Sequence, residues 1–296
     1  MILLDGKKAA AEWRADTARR VGELRAITGR TPRLAAVLVG NDPASEIYVN
    51  LKAKACAQCG MRSRVVRLPA DATQQQVHDI VRRLNADSDI DGIIVQQPLP
   101  PHLDSTALLE VISPRKDVDG FTPDNIGRLA LGLPCLPPAT PAGIIELLRR
   151  NGITTRGKRV AVVGRSNIVG RPMASLLLQK GAMADATVTV CHSATPDLAP
   201  ILRESDIIIS AVGSPGLVTA DMVRPGAVVV DVGTTRVDDP TTKKGYRIAG
   251  DVDFEHIAPV CSYITLVPGG VGPMTIASLL HNTVTAFERR RLRHNR

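Results

Sequence analysis

Aromatic residues and long apolar runs are both scarce in this sequence. Three Phe, three Tyr and one Trp among 296 residues offer little on which nucleic-acid bases could stack, and no zinc-finger or RNA-recognition signature occurs. No run of about 18 apolar residues is present, which argues against a transmembrane helix. The opening MILLDGKKAAAEW has its charges after a very short apolar stretch, the reverse of a signal peptide. We therefore expect neither a nucleic-acid partner nor a membrane.

Cysteine is also sparse. The five cysteines, at positions 56, 59, 135, 191 and 261, are odd in number and scattered, which suits a reducing cytoplasm. Cys56 and Cys59 form a C-x-x-C at the C-terminal end of a predicted helix, whereas a redox pair needs a helix N-terminus to lower its thiol pKa. No second pair completes a zinc site, so both thiols are predicted to be structural.

A calcium loop is suggested only superficially by the run DVDG at 117–120. The third acidic ligand and the closing glutamate of such a loop are missing. Turn-forming aspartates are the alternative interpretation, and we expect no metal.

Positive charge exceeds negative charge, with 37 Lys and Arg against 29 Asp and Glu and a formal net charge of +8. The segment ERRRLRHNR at 288–296 holds five arginines and one glutamate. About half of the excess therefore lies in a terminal segment that is expected to fray. The modest remainder favours attraction of anionic small molecules. A non-catalytic nucleotide- or RNA-binding protein is an alternative that only this tail supports.

Short β-branched runs alternate with helical stretches, a pattern typical of α/β proteins with parallel sheets. In the first half we predict strands over 34–39, 64–68 and 90–95, and helices near 7–27, 43–59 and 74–86. Asp42-Pro43 is a good helix start, because the carboxylate caps free amides and proline needs no amide hydrogen at the first position.

The second half contains near-continuous apolar strands, which are expected where both faces of a sheet are covered. These strands are predicted over 159–164, 187–192, 206–213 and 227–233. Between the halves, the segment 131–143 is rich in proline and glycine and is predicted to join two domains. Thr140-Pro141 then opens a helix that Gly152 closes. A last long helix from about Met274 has no strand after it, so we expect it to pack back across a domain face.

A strand, a glycine turn and a helix follow one another in GKRVAVVGRSNIVGRPMASLLL, residues 157–178. In this geometry backbone amides and a helix dipole hold a pyrophosphate. Five residues separate Gly164 from Gly170, and Ser166 lies between them, so the loop is longer than the G-x-G-x-x-G fingerprint. A purely structural turn is the alternative, but the apolar strands that follow at α/β spacing favour nucleotide binding.

The cofactor's phosphate state is indicated by the end of the second strand of this half. An acidic residue there would bind a ribose 2′-hydroxyl and repel a 2′-phosphate, but the sequence runs Val190-Cys191-His192-Ser193-Ala194. Arg165, in the glycine loop, offers a guanidinium that could grip a phosphate. The pattern favours NADP over NAD.

A possible proton-handling pair occurs in the segment 45–60. Tyr48 and Lys52 are four residues apart on a predicted helix, so their side chains are neighbours on one face, while Lys54 points elsewhere. A phenol beside an amine handles protons if its surroundings exclude water. A solvated helix face is the alternative interpretation.

Long motifs from both halves of the chain point to one family. They are YVNLKAK, DGIIVQQPLP (91–100), KDVDGFTPDNIGRL (116–129), PCLPPATPAG, GRSNIVGRP and VPGGVGPMT (267–275). In order and spacing they resemble the bifunctional methylenetetrahydrofolate dehydrogenase/cyclohydrolase family, over nearly the whole chain. The resemblance implies an α/β fold of two domains with a returning helix. An N-terminal α/β folate-binding catalytic domain spans 1–138, a Rossmann-type NADP-binding domain spans 139–270, and a C-terminal helix with a basic tail, 271–296, packs back on the first domain.

The same resemblance implies the site residues. Lys52 corresponds to the lysine used in folate chemistry, Tyr48 to its partner and Gln96 to the glutamine that supports it. Asp119 corresponds to the aspartate that holds the pterin ring. The positions beside bound folate are Pro268, Gly269 and Gly270. The dinucleotide contacts are Gly164, Arg165 and Ser166, together with Ser193 and Thr234.

The function implied is a pair of reactions of one-carbon metabolism. A hydride passes from 5,10-methylenetetrahydrofolate to NADP⁺, and water then opens the methenyl product to 10-formyltetrahydrofolate. A free lysine is a poor base at neutral pH, with a pKa of about 10.4, so Lys52 would need surroundings that disfavour its charged form. The resemblance also implies a homodimer. Another two-domain NADP oxidoreductase, such as an amino-acid or hydroxy-acid dehydrogenase, is the alternative enzyme.

Overall fold

A computed structural model describes residues 1–242 and 245–292. Its strands are β1 (Ile2–Leu4), β2 (Arg33–Val39), β3 (Arg62–Leu68), β4 (Gly92–Val95), β5 (Arg159–Val163), β6 (Thr187–Cys191), β7 (Ile207–Ser210), β8 (Val228–Asp231), β9 (Thr235–Asp238), β10 (Tyr246–Ala249) and β11 (Tyr263–Thr265). Its α-helices are α1 (Gly6–Thr28), α2 (Pro43–Gln58), α3 (Gln74–Ala86), α4 (Ser105–Val111), α5 (Pro123–Ala130), α6 (Ala139–Arg150), α7 (Gly170–Leu177), α8 (Leu198–Arg203), α9 (Phe254–Ile257) and α10 (Val271–Arg291). A short 3₁₀ helix spans Ala220–Met222.

The chain divides into two compact units. Unit 1 consists of Met1–Ala10 and Thr140–Thr275, and unit 2 consists of Ala11–Ala139 and the chain from Ile276 onward. Residues 1–10, predicted to lie in the N-terminal domain, belong to unit 1, because β1 pairs in parallel with β11.

Unit 2 is built on a parallel sheet with the order β3-β2-β4. Alternate side chains of the apolar strand β2 enter two different clusters. The even-numbered residues from 34 to 38 join a cluster that includes residues of α2 and α10, and the odd-numbered residues from 35 to 39 join one that includes residues of α3. Both faces of the sheet are therefore covered by helices.

The carboxyl-terminal part of α10 packs in unit 2, as the resemblance implied. Phe287 is fully buried in the same cluster as the even-numbered residues of β2. Arg20 of α1 forms a bidentate ion pair with Glu288. The remaining part of the predicted basic tail, residues 293–296, lies outside the described residues.

Unit 1 contains a parallel sheet with the strand order β1-β11-β8-β7-β5-β6. Because its strands are parallel, the carboxyl ends of β5, β6, β7 and β8 lie at one edge, where ligands of such sheets bind. A separate antiparallel hairpin is formed by β9 and β10.

The strand β6 differs from expectation. An apolar strand covered on both faces was predicted over 187–192, but Thr187, Thr189 and Val190 are exposed. The cause is its position, because β6 is the last strand of the sheet and pairs with β5 on one side.

Candidate active site

In unit 2, helix α2 and the end of strand β4 bring Lys52 and Gln96 together. Lys52 Nζ donates to Gln96 Oε1 at 3.0 Å. Gln96 directly follows β4, and its backbone N–H donates to the carbonyl of Val37 at 2.9 Å, which continues the pairing with β2. The Gln96 side-chain amide also donates to the carbonyl of Gln97 at 2.6 Å. With its N–H₂ group engaged there, the amide oxygen is directed at the lysine.

Helix α2 begins where the sequence predicts it. Pro43 is the first helical residue, and the carboxylate of Asp42 accepts from the backbone N–H of Ser45 at 2.7 Å. This bond and the helix N-terminus stabilise the charged carboxylate, and they lower the pKa of Asp42. The cap fixes the start of the helix, and thereby the turn on which Lys52 lies.

Asp119 lies within electrostatic reach of Lys52. Burial raises the pKa of Asp119, the lysine's positive charge opposes that shift, and the neighbouring Asp117 carboxylate adds to it. The sequence-predicted residues Lys52, Gln96 and Asp119 therefore meet in one region of unit 2.

The loop that carries Asp119 is held by buried polar side chains. The carboxylate of Asp117, 1% exposed, accepts from the backbone N–H of Gly120 at 2.9 Å and of Thr122 at 2.7 Å. It also accepts from the Asn125 side chain at 3.0 Å. Gly120 has φ of +78°, and a Cβ atom there would lie 2.5 Å from the backbone of Pro137. Asp117 is thus a turn-forming aspartate that fixes the loop carrying Asp119.

Asn282 of α10, which was not among the predicted site residues, fixes the same loop. Its side-chain N–H₂ donates to the carbonyl of Val118 at 2.9 Å and to that of Pro137 at 2.8 Å. The residue is 2% exposed. The available signal was a lone amide within an apolar stretch of the last predicted helix.

The other polar residues of α2 do not join this cluster by hydrogen bonds. Tyr48 is 48% exposed, and its hydroxyl makes no hydrogen bond with the described part of the chain. Lys54 is exposed. Cys56 and Cys59 are buried, and burial raises the pKa of both thiols, that of Cys56 to about 12. These thiols are structural, as predicted.

In unit 1, the glycine loop follows β5 as predicted. Gly164 has φ of +120°, and a Cβ atom there would collide with the backbone carbonyl of Ala211. A Cβ on Gly170 would collide with the carbonyl of Gly164. The hydroxyl of Ser166 accepts from the backbone N–H of Val169 at 3.2 Å and that of Gly170 at 3.5 Å. The closely packed turn leads into α7, and this arrangement fits a dinucleotide pyrophosphate.

The remaining predicted dinucleotide residues lie on the same sheet edge. Arg165 follows β5, Ser193 follows β6 and Thr234 follows β8, and all three are exposed. The ring of His192 takes part in a local turn, since its Nδ1 accepts from the backbone N–H of Ala194 at 3.2 Å. The edge thus presents a guanidinium and hydroxyls, with no carboxylate at the end of β6.

Two buried aspartates, neither of them among the predicted site residues, stabilise this edge. The carboxylate of Asp251 accepts from the Ser210 hydroxyl at 3.1 Å and from the backbone N–H groups of Val212 at 2.8 Å and Ser214 at 2.9 Å. The carboxylate of Asp231 accepts from three backbone N–H groups, those of residues 233, 251 and 252. Burial raises the pKa of Asp231 to about 6 despite these bonds.

The predicted folate-side residues Pro268, Gly269 and Gly270 belong to unit 1, between β11 and α10. The turn is closed by a hydrogen bond from the backbone N–H of Gly270 to the carbonyl of Leu266 at 2.8 Å. Gly270 lies so close to Gly6 of α1 that a Cβ on Gly6 would collide with its carbonyl. The turn is therefore packed against the start of α1 within unit 1.

Two kinds of feature are absent from residues 1–242 and 245–292. No group of three or more His, Cys, Asp or Glu side chains is placed to hold a metal ion. No helix in that part of the chain has the length and apolar character needed to cross a membrane.

Comparison with known proteins connects both units to one family. The catalytic-domain model of tetrahydrofolate dehydrogenase/cyclohydrolase matches residues 4–119, and the NAD(P)-binding domain model of the same family matches residues 138–291. The bifunctional protein FolD of Porphyromonas gingivalis is 56% identical over 284 residues, which cover 96% of each chain.

Solved structures show the same similarity. The bifunctional methylenetetrahydrofolate dehydrogenase/cyclohydrolase FolD of Campylobacter jejuni superposes with a TM-score of 0.92 at 46% identity, covering 98% of this chain and 99% of that one. The methylenetetrahydrofolate dehydrogenase-cyclohydrolase of Trypanosoma brucei, in complex with NADP and an inhibitor, superposes with a TM-score of 0.92 at 45% identity, covering 98% of both chains.

Proposed function

Because the chain belongs to the tetrahydrofolate dehydrogenase/cyclohydrolase family, we propose that Lys52, held by Gln96, carries the proton transfers of its hydrolytic reaction. The enzyme oxidises 5,10-methylenetetrahydrofolate to the methenyl form with NADP⁺ and hydrolyses that form to 10-formyltetrahydrofolate. The observation that carries the proposal is the 3.0 Å hydrogen bond from Lys52 Nζ to Gln96 Oε1. The charge of the same lysine acts on Asp119, the proposed folate anchor.

In the dehydrogenase reaction, the protein mainly positions the two reactants. Bound NADP⁺ supplies the hydride acceptor, and the folate nitrogens support the positive charge left on the one-carbon bridge. Asp119 anchors the pterin ring, since a carboxylate can accept two N–H bonds from its aminopyrimidinone edge. Pro268, Gly269 and Gly270 contact the same substrate.

In the cyclohydrolase reaction, water attacks the methenyl carbon and must lose a proton as it does so. The Lys52 amine takes that proton and returns it to the folate nitrogen that leaves when the ring opens. The second proton of the water leaves to solvent as the formyl C=O forms, so the reaction releases one proton overall. Gln96 orients Nζ, and Tyr48, one turn earlier on α2, offers its hydroxyl to substrate or water.

The cofactor contacts are proposed at the carboxyl edge of the unit 1 sheet. Backbone N–H groups around Gly164 and Ser166 hold the pyrophosphate. Arg165 binds the 2′-phosphate, since its guanidinium is exposed and no carboxylate ends β6. Ser193 and Thr234 add hydroxyl contacts on either side.

We assign the folate chemistry to the domain predicted over 1–138, apart from residues 1–10, which belong to unit 1, and cofactor binding to the domain over 139–270, with the helix over 271–296 completing the first. We also propose that the enzyme works in the cytoplasm as a homodimer. Sedimentation velocity tests the dimer: a single species near 32 kDa would contradict it, since one chain has a mass of 31.6 kDa.

The proposal for Lys52 is tested with Lys52→Met, which removes the amine and keeps most of the side-chain volume. We expect hydrolysis of methenyltetrahydrofolate to fall by at least about 100-fold, the lower end of what proton transfer by a positioned group contributes. NADP⁺ affinity should not change. Lys54→Met, two residues on and exposed, is the matched control and should keep wild-type rates. Unchanged hydrolysis in Lys52→Met would remove Lys52 from the mechanism.

The assignment of Arg165 is tested with Arg165→Ala and both nicotinamide cofactors. We expect KM for NADP⁺ to rise by roughly tenfold or more, since a charge-assisted hydrogen bond to phosphate contributes about 1.5–3 kcal/mol. KM for NAD⁺, which lacks the 2′-phosphate, should change little. Equal effects on both would show that Arg165 does not bind that group.

A further inference from the structure

A basic crevice lies in unit 2, away from the residues assigned to either reaction. Its volume is about 390 Å³. Four arginines and one aspartate supply its charged lining: Arg25, Arg30, Arg33, Arg62 and Asp89. Gly29, Thr31 and Gly60 complete the wall.

The fold itself brings these arginines together. Arg33 is the first residue of β2 and Arg62 the first residue of β3, and the parallel register places them directly side by side. Arg25 comes from the last turn of α1, and Arg30 lies between that helix and β2. The guanidinium groups are therefore held at the amino-terminal edge of the sheet by three different elements.

Most of this positive charge is not neutralised. Arg30 forms an ion pair with Asp89. The side chains of Arg25, Arg33 and Arg62 make neither a hydrogen bond nor an ion pair within residues 1–242 and 245–292. The Nε of Arg33 is also buried without a partner in that part of the chain, and a buried N–H left unpaired is costly.

Nearby carboxylates are already engaged by other groups. Asp91 accepts from Arg290 at 3.0 Å and from the backbone N–H of Arg33 at 3.0 Å. Asp87 lies 3.6 Å from Arg64. Both of these carboxylates therefore already have basic partners, and Asp89, the one acidic residue of the lining among the residues described, is paired with Arg30.

We propose that this crevice binds a small phosphate anion with more than one negative charge, such as a phosphate monoester or pyrophosphate. Guanidinium groups match phosphate oxygens with paired hydrogen bonds, and several of them around a concave site suit a multiply charged ligand. No aromatic side chain lines the crevice, so a nucleic-acid base would have no surface on which to stack.

The site is separate from the folate and dinucleotide residues. Arg33 and Gln96 lie at opposite edges of the unit 2 sheet, since Arg33 begins β2 and Gln96 bonds to Val37 near its end. At about 3.3 Å per residue, the four steps along β2 from Arg33 to Val37 separate them by roughly 13 Å. Neither reaction requires an anion at this edge.

The test is calorimetric titration of inorganic pyrophosphate into enzyme saturated with NADP⁺, which occupies the dinucleotide site. We expect one binding event. The double variant Arg25→Gln, Arg62→Gln should weaken it at least about tenfold, because each arginine donates charge-assisted hydrogen bonds. Both residues are exposed, so the variant should fold and keep its dehydrogenase rate. Arg19→Gln, an exposed arginine six residues before Arg25 on α1, is the matched control and should keep wild-type affinity.

Several results would overturn the proposal. They are the absence of binding by the wild-type enzyme, an equal affinity in the double variant, and an equal loss in Arg19→Gln, which would indicate only general charge attraction. Loss of pyrophosphate binding in Lys52→Met would place the anion at the folate site instead. Binding of a single-stranded oligonucleotide that is tighter than pyrophosphate and depends on the same arginines would assign the crevice to nucleic acid.

Discussion

Replacement of Asn282 by leucine should weaken folate binding without touching any residue proposed to contact folate. The side-chain N–H₂ of Asn282 is 2.9 Å from the carbonyl of Val118 and 2.8 Å from that of Pro137, at a position 2% exposed. Leucine has a similar shape and no donor. Each buried carbonyl that loses its donor costs about 1–3 kcal/mol, so the free energy of unfolding should fall by about 2–6 kcal/mol.

The same change should alter the position of Asp119. Val118 directly precedes Asp119. The carbonyl of Asp119 itself accepts from the backbone N–H of Ala139 at 3.2 Å. Both sides of the loop therefore depend on the segments that Asn282 holds. We expect KM for methylenetetrahydrofolate to rise by roughly tenfold, equivalent to about 1.4 kcal/mol, with a smaller effect on kcat. Urea denaturation and initial rates at saturating NADP⁺ measure the two effects.

The matched control is Thr283→Val, at the next position of α10. Thr283 is also fully buried, but among the described residues its hydroxyl bonds only to the carbonyl of Leu279 within the same helix, at 2.8 Å. Thr283→Val should lower the free energy of unfolding by about 0.5–1.5 kcal/mol and leave KM for methylenetetrahydrofolate unchanged. An unchanged KM in Asn282→Leu, or equal losses in both variants, would refute the reasoning.

Two further predictions follow from buried ionisable groups. The pKa of Asp231, raised to about 6 from 3.8, means that the native state binds a proton more readily than the unfolded state. The contribution of Asp231 to stability should therefore fall by about 3 kcal/mol as pH rises from about 3 to about 7; urea denaturation should show the stability difference between wild type and Asp231→Asn changing in this direction with pH, and a difference that does not depend on pH would contradict the assignment. The thiol of Cys56, with its pKa raised to about 12 by burial, should resist alkylation at pH 8 in the native enzyme and react after unfolding. Mass spectrometry detects the adduct, and rapid labelling of the native protein would contradict its burial.

The elements with strong local signals were predictable from the sequence. The start of α2 was predictable from Asp42-Pro43, and the strands β2 and β5 were predictable from their apolar runs. Helix caps and continuous apolar strands depend on residues that are neighbours in the sequence. The strands β1 and β11 were missed, since three residues show no periodicity. The hairpin of β9 and β10 was missed as well, because its alternation is polar and partly exposed.

The candidate site was predictable to a different extent in each unit. Lys52 and Gln96 are 44 residues apart in the chain. Without the pairing of β2 with β4, only the family pattern predicts that the two side chains belong to one site. The braces Asn282, Asp231 and Asp251 carried no such signal, because their role depends on carbonyl and N–H groups far away in the chain. The exposed face of β6 was mispredicted for the same reason, since the order of strands in a sheet is a tertiary property.

The exchange of terminal segments between the units affects how the protein can be synthesised and divided. The first ten residues complete the sheet of unit 1, while the chain from Ile276 completes unit 2 and supplies Phe287 to its core. A ribosome that has released residues 1–139 has therefore produced a strand without its partner and a core without its last helix. Neither residues 1–139 nor residues 140–275 contain all the elements of one unit, so completion of unit 2 requires the chain from Ile276 onward.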